Sequence, residues 1–126
     1  MSDIDCPCGS GKSYTACCEI FHLKNNAAIA QTAETLMRSR YSAYVMERED
    51  YLLQTWHPST RPAQLNLQQE GNVKWLGLKI IRSETETVEF VARYKVAGKA
   101  TRLHEISTFV YEQGRWFYLA GQKGGE

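Results

Sequence analysis

The side chains best suited to chemistry stand at the start of the chain: Cys6, Cys8, Cys17 and Cys18, with no cysteine after them. Cys-x-Cys, an eight-residue insert and then Cys-Cys offer four sulfur ligands, the number a structural zinc ion takes in tetrahedral geometry. The insert must turn back so that the second pair meets the first. Gly9-Ser10-Gly11 suits that turn, because glycine enters the positive-φ region at little cost. A loop this short cannot fold by apolar burial alone, so a bound Zn2+ would supply its folding free energy. Lys12 offsets part of the charge of four thiolates, and Tyr14 is placed to cover the sulfurs. Adjacent ligands at Cys17 and Cys18 require diverging side chains, as in a tight turn or a helix start. His22 is an alternative ligand if Ile20 and Phe21 form a helical turn; otherwise it is a packing or surface residue. Redox-active thiols or a local disulfide compete with zinc, although the spacing lacks the Cys-x-x-Cys redox pattern. Four thiolates leave no open position for a catalytic water. Gly-Ser-Gly-Lys at 9–12 lacks the full phosphate-loop signature and a preceding strand.

The elements that position further chemistry come later. Thr32 is the expected cap of a helix with apolar positions Ala33, Leu36, Met37, Tyr41, Tyr44 and Val45. Arg38, Arg40, Glu47 and Arg48 fill its wetter positions. A short helix is expected over Asp50–Gln54, ending before His57-Pro58, since the residue before proline is pushed out of helical geometry. Residues 58–72 read as irregular, with a possible short helix at 62–69. Strand patterns follow over Lys74–Ser83, Glu86–Val96, Thr101–Tyr111 and Arg115–Gly121. Turn signals at Ala97-Gly98-Lys99 and Gln113-Gly114 favour an antiparallel meander, because parallel strands need crossovers of a dozen or more residues. Helices first and strands afterwards give an α+β domain.

Strand parity selects a candidate pocket. Leu103, Glu105, Ser107 and Phe109 share one face, and His104, Ile106, Thr108 and Val110 the other. With the first set inward, Glu105 becomes a buried carboxylate that must find a donor or accept a proton. Arg38 and Arg40 from the helix, or Trp116 and Tyr118 from the last strand, are its potential donors. Candidate pocket residues are therefore Arg38, Tyr41, Trp56, Glu105, Ser107, Trp116 and Tyr118. Glu105, His57 and Tyr118 are the weak candidates for catalysis; a buried network anchor explains Glu105 better, and His57 can equally cap, pack or join a pocket. Trp56, Trp75 and Trp116 fit core or pocket walls better than base-stacking platforms.

Composition bounds the function. The 126 residues are 43% hydrophobic and 11% aromatic, enough for one cored domain. Fifteen Lys and Arg against fourteen Asp and Glu leave a formal charge of +1. That weakens the case for a broad electrostatic nucleic-acid binder and leaves room for a small basic face. No run approaches the ~20 apolar residues that span a bilayer, and MSDIDCPCGS lacks the features of a signal peptide. The expected compartment is the cytoplasm.

Cys6-Pro7-Cys8-Gly9-Ser10-Gly11-Lys12-x-Tyr14-x-x-Cys17-Cys18 closely resembles the SEC-C motif, a short zinc module found at the C-terminal end of the secretion motor SecA and in many other proteins. In SecA the last ligand is usually histidine, and Cys18 holds that place here. The SecA motif is associated with SecB chaperone, phospholipid and ribosome contacts, and no motor domain accompanies it in this chain. The order helix, short helix, Thr55-Trp56-His57-Pro58 and four strands resembles the NTF2-like cone, helices packed on a curled antiparallel sheet. Leu36-Met37-Arg38-Ser39-Arg40-Tyr41-Ser42-Ala43-Tyr44, His104-Glu105-x-Ser107-x-Phe109 and Gly114-Arg115-Trp116-x-Tyr118 extend the likeness to the YchJ-like bacterial family. That family joins a SEC-C motif to an NTF2-like domain and has no established activity to carry over. The resemblance implies a SEC-C-like zinc motif at 1–22, a linker at 23–31 and an NTF2-like domain at 32–126.

Three functions are expected to compete. A zinc-containing, non-catalytic adaptor would meet a protein or the ribosome through the knuckle. A small-molecule binder or enzyme would use the pocket. An RNA or ribosome contact through the knuckle would show salt-sensitive binding that depends on Lys12.

Overall fold

The computed structural model describes residues 4–22, 29–65 and 73–123. A single 3-10 turn at Tyr14–Ala16 and a four-residue helix α1 (Glu19–His22) carry the N-terminal segment. Helices α2 (Ala33–Val45) and α3 (Glu49–Gln54) follow, then strands β1 (Val73–Ser83), β2 (Thr87–Val96), β3 (Lys99–Glu112) and β4 (Arg115–Lys123). Thr32 caps α2 as its chemistry predicts, its Oγ1 accepting from the Thr35 N–H at 3.1 Å. Residues 62–65 are not helical. The rest of the helix expected at 62–69, and most of the linker expected at 23–31, lie outside the described residues.

Each strand pairs antiparallel with its sequence neighbour, in the order β1-β2-β3-β4. Two-residue turns make the last two hairpins: Ala97 and Gly98, then Gln113 and Gly114, all with positive φ. That pair of values matches the twist of the flanking strands. The α+β class holds, but the expected curled, cone-like sheet does not. The sheet is an open four-strand meander whose outer strands β1 and β4 do not pair with each other. Four strands are too few to close around a core, which takes about eight. The β4 edge is instead met locally by Thr55–His57: the His57 N–H donates to Tyr118 O and the Tyr118 N–H to Thr55 O, both at 2.8 Å.

The core lies between this sheet and the two longer helices. Leu36, Met37, Tyr41 and Ala43 of α2 and Tyr51 and Leu52 of α3 meet Val88, Phe90, Ala92 and Phe109. The alternation of β2 dictates this packing, since residues two apart share a face. Arg40 departs from expectation: placed among the wetter positions by the helical pattern, it is only 3% exposed. Helix α2 has neighbours on several sides, so its polar positions are buried along with its apolar ones. Leu52→Ala is expected to destabilise the protein by about 2–5 kcal/mol in denaturant unfolding, against under ~0.5 kcal/mol for Ile81→Ala on the exposed face.

Candidate metal centre

The N-terminal segment is a small hairpin. The Cys6 N–H donates to Lys12 O and the Tyr14 N–H to Ile4 O, both at 2.9 Å, which lays Ile4–Cys6 against Lys12–Tyr14. Gly9 and Gly11 take φ of +83° and +89° at its tip, values an L side chain rarely adopts. The 3-10 turn then delivers Cys17, and α1 starts just after Cys18, so the adjacent cysteines sit on a turn and at a helix start.

All four sulfurs lie within 4.8 Å of one another. Cys8 and Cys17 are 3.7 Å apart, and Cys17 and Cys18 are 4.0 Å apart. A tetrahedral zinc ion with Zn–S bonds of ~2.3 Å separates its sulfurs by about 3.8 Å, so the four cysteines fit the ion. Their acidities are uneven. A hydrogen bond from Cys18 stabilises the Cys8 thiolate against the opposing effect of burial and brings Cys8 down to about 4. The same bond, with burial, pushes Cys18 up, and burial raises Cys17. One thiolate shared among neighbouring thiols is what a clustered set can hold unaided. A divalent cation at its centre favours all four as thiolates.

The cluster is joined to the main domain. Cys6 Sγ lies 3.4 Å from Ser42 Oγ, and Cys18 Sγ 3.7 Å from Arg38 O. Arg38 Nη1 donates to Cys8 O at 2.7 Å, and its Nε pairs with Glu34 at 3.1 Å. Tyr14 is buried with the sulfurs, and Met46 packs beside them. His22 serves the same joint: its Nε2 donates to Ser39 O at 2.9 Å, which leaves Nδ1 to accept from Tyr14 Oη at 2.7 Å. Burial holds its pKa down and favours this neutral form. With both ring nitrogens engaged, His22 is a packing residue in this arrangement and lies outside the four-sulfur cluster.

The candidate pocket residues divide among three places. Tyr41, Glu105, Ser107 and Tyr118 line a cavity of about 130 Å³ under α2, together with Arg40 and Trp75. Arg38 is on the opposite side, against the knuckle. Trp116 lines a smaller space beside Ala30 and Leu36, its Nε1 donating to Gln31 O at 3.2 Å. Trp56 stacks under Arg40, with a buried Nε1 that has no partner among the described residues. His57 is not part of the cavity: its Nδ1 accepts from the Ser59 N–H at 3.1 Å, so Nε2 donates to Glu112 at 3.0 Å. Of the three catalytic candidates, the fold brings together only Glu105 and Tyr118.

Sequence reasoning gave Arg40 two readings, a wetter helix position and a potential donor to Glu105, and the structure puts it in the cavity with Glu105. Its Nη1 donates to Leu52 O at 2.8 Å and Thr55 Oγ1 at 2.7 Å. Its guanidinium lies 5.1 Å from the Trp56 ring centre and 4.5 Å from that of Tyr118. Among the described residues it has no ion pair. Burial works against its charge, and the two rings and the nearby Glu105 favour it. Glu105 accepts from Ser107 Oγ at 2.9 Å, and its carboxylate lies directly over Gly121, where a Cβ would overlap it.

The model of the family described as YchJ, middle NTF2-like domain, matches residues 32–121, and the SEC-C motif matches residues 5–20. A UPF0225 protein of Bordetella pertussis is 52% identical over 125 residues, covering 95% of this chain and 93% of the relative. One from Chromobacterium violaceum is 54% identical over 124 residues, covering 92% and 90%. Among solved structures, a SEC-C motif-containing protein from Psychrobacter arcticus is similar at TM-score 0.75 and 29% identity, over 96% of this chain and 83% of that one. Another, from Rhodopseudomonas palustris, is similar at TM-score 0.75 and 31% identity, over 97% and 100%.

Burial pushes Tyr51 and Tyr118 from 10.0 up to about 12. The folded chain therefore holds these protons more tightly than the unfolded chain. Their contribution to stability is complete below pH 10 and declines as pH rises from 10 through about 12. Urea unfolding across that range should show this loss, reduced in Tyr118→Phe; an identical decline in wild type and variant would exclude Tyr118 as a source.

Proposed function

The chain belongs to the YchJ-like (UPF0225) family, joining a SEC-C motif to an NTF2-like domain, and on that premise we propose that it is a zinc-held, non-catalytic interaction protein. The closed cluster of four cysteine sulfurs within 4.8 Å carries this reading. Cys6, Cys8, Cys17 and Cys18 would hold Zn2+, whose role is to fix the hairpin and bind it to α2. Four sulfur ligands leave no position for substrate. The His57 side chain pairs with Glu112 outside the cavity that holds Glu105 and Tyr118, which supports a non-catalytic role. Ser10, Gly11 and Lys12 are exposed at the hairpin tip and offer a contact for a protein or ribosomal partner, whereas Tyr14 faces inward. No helix among the described residues is long and apolar enough to cross a membrane.

Elemental analysis of tag-free protein should find about one zinc per chain, as four-sulfur structural sites hold. Cys18→Ser should lose the metal and lower the unfolding midpoint, with amide signals of Ser39 and Ser42 moving along with those of the hairpin. Metal-free protein with four titratable thiols, or a reversible disulfide, would overturn the zinc reading.

A second reading is favoured by one observation: a buried arginine with no ion pair among the described residues, in a cavity that also holds a carboxylate. The volume, about 130 Å³, suits a single six-membered ring, and Arg40 suits an acceptor group on it. Single-ring carboxylates should raise the melting temperature of the wild type. Gly121→Ala, which forces Glu105 off its seat, should abolish the rise. No shift across such a panel ends this reading.

A further inference from the structure

The outward face of the sheet carries charge that covering a core does not require. Val88, Phe90 and Ala92 of β2 pack inward, so Glu89, Val91, Arg93 and Lys95 face away. The register sets Lys74 directly opposite Lys95 and Arg93 directly opposite Arg102, with Lys79 opposite Val91. All five cations are exposed, and among the described residues none has an ion-pair partner. Glu89, the acidic residue beside them, is held by His104 at 2.7 Å. Like charges directly opposite each other destabilise a strand pair, and this face has two such pairs side by side. A groove of about 570 Å³ takes in the Arg93–Arg102 pair, with Leu78, Lys79 and Val91 also in its lining, and Lys74 and Lys95 stand outside that lining on the same face.

We propose that this basic face docks an acidic, extended polypeptide segment. Alternate side chains of an extended chain repeat at about 6.8 Å, the spacing that separates Arg93 from Lys95 along β2. Asp or Glu at alternate positions therefore matches the cations. The groove lining has no aromatic ring on which a base could stack, which favours a polypeptide over a single-stranded nucleic acid. The inference rests on the interaction-protein reading and names a second surface, on the sheet, none of whose groove-lining residues belongs to the hairpin.

The test uses the full chain and a fluorescent peptide of about eight residues alternating Glu and Ser, long enough to span the strands. Binding should perturb amide signals of β1–β3 and weaken at least ~10-fold between about 50 and 300 mM salt. Arg102→Glu should weaken it at least ~10-fold while raising the unfolding midpoint by roughly 1–5 °C, because it turns a like-charge pair into an opposite one. Lys12→Glu should leave it unchanged. The site is overturned if the peptide does not bind, if Arg102→Glu has no effect on binding or lowers the midpoint, or if Lys12→Glu abolishes binding. Tighter binding of a single-stranded RNA of equal charge overturns the polypeptide assignment in favour of nucleic acid. Groove binding by protein shown to hold no zinc would sustain this inference and remove only the metal-held reading.

Discussion

Helix α2 meets the cysteine hairpin through Arg38, Ser39 and Ser42, α3 through Ser39 and Arg40, and the sheet through Met37 and Tyr41. Eight of its thirteen residues are buried, two serines and an arginine among them. A helix enclosed in this way keeps polar side chains only where a partner satisfies them. Ser39 shows how closely that demand is met. Its Oγ donates to Leu36 O and accepts from Tyr51 Oη, while its carbonyl takes the His22 N–H. The cysteine cluster, the cavity and the α2–α3 contact are therefore three sides of one helix.

This arrangement gives the metal centre a consequence beyond its own loop. The hairpin makes most of its buried contacts with its own sulfurs, Tyr14 and Met46, too few to hold it by apolar burial. Zinc would order the hairpin, and the ordered hairpin supplies Cys8 O to Arg38 and Tyr14 to His22. Arg40, one residue on from Ser39, faces the other way and carries its charge into the cavity. Its environment of two aromatic faces, a carbonyl and a hydroxyl is an alternative to an ion pair, and it keeps the cation buried next to Glu105 without direct neutralisation.

Charge illustrates the difference between composition and placement. A formal charge of +1 describes a chain with no electrostatic preference. The register nevertheless collects Lys74, Lys79, Arg93, Lys95 and Arg102 on one surface, while Glu19, Glu34 and Glu112 pair elsewhere. Positions remote in sequence became neighbours because antiparallel pairing aligned them.

Much of this was legible in the residues alone. The spacing of Cys6, Cys8, Cys17 and Cys18 with the intervening glycines indicated a folded-back sulfur cluster, because the chain at that length has few ways to use four thiols. The cap at Thr32, the turns at Ala97-Gly98 and Gln113-Gly114, and the parity that places Glu105 and Ser107 inward all depend on local geometry, which neighbouring residues determine. What lay beyond local pattern was decided by tertiary structure. Whether the sheet closes depends on its outer strands meeting, and here they do not. Arg40 read both as a wetter helix position and as a potential donor to Glu105; packing decided between them, because periodicity assumes one wet face and α2 has packing partners where that face would be. His57 and Glu105 parted because the 55–57 segment runs along β4 instead of over the cavity. The Ala97-Gly98 turn fixes the β2–β3 register and with it the Arg93–Arg102 pair, but Lys74 and Lys79 join that face only through the β1–β2 register, whose two shifts no local pattern sets.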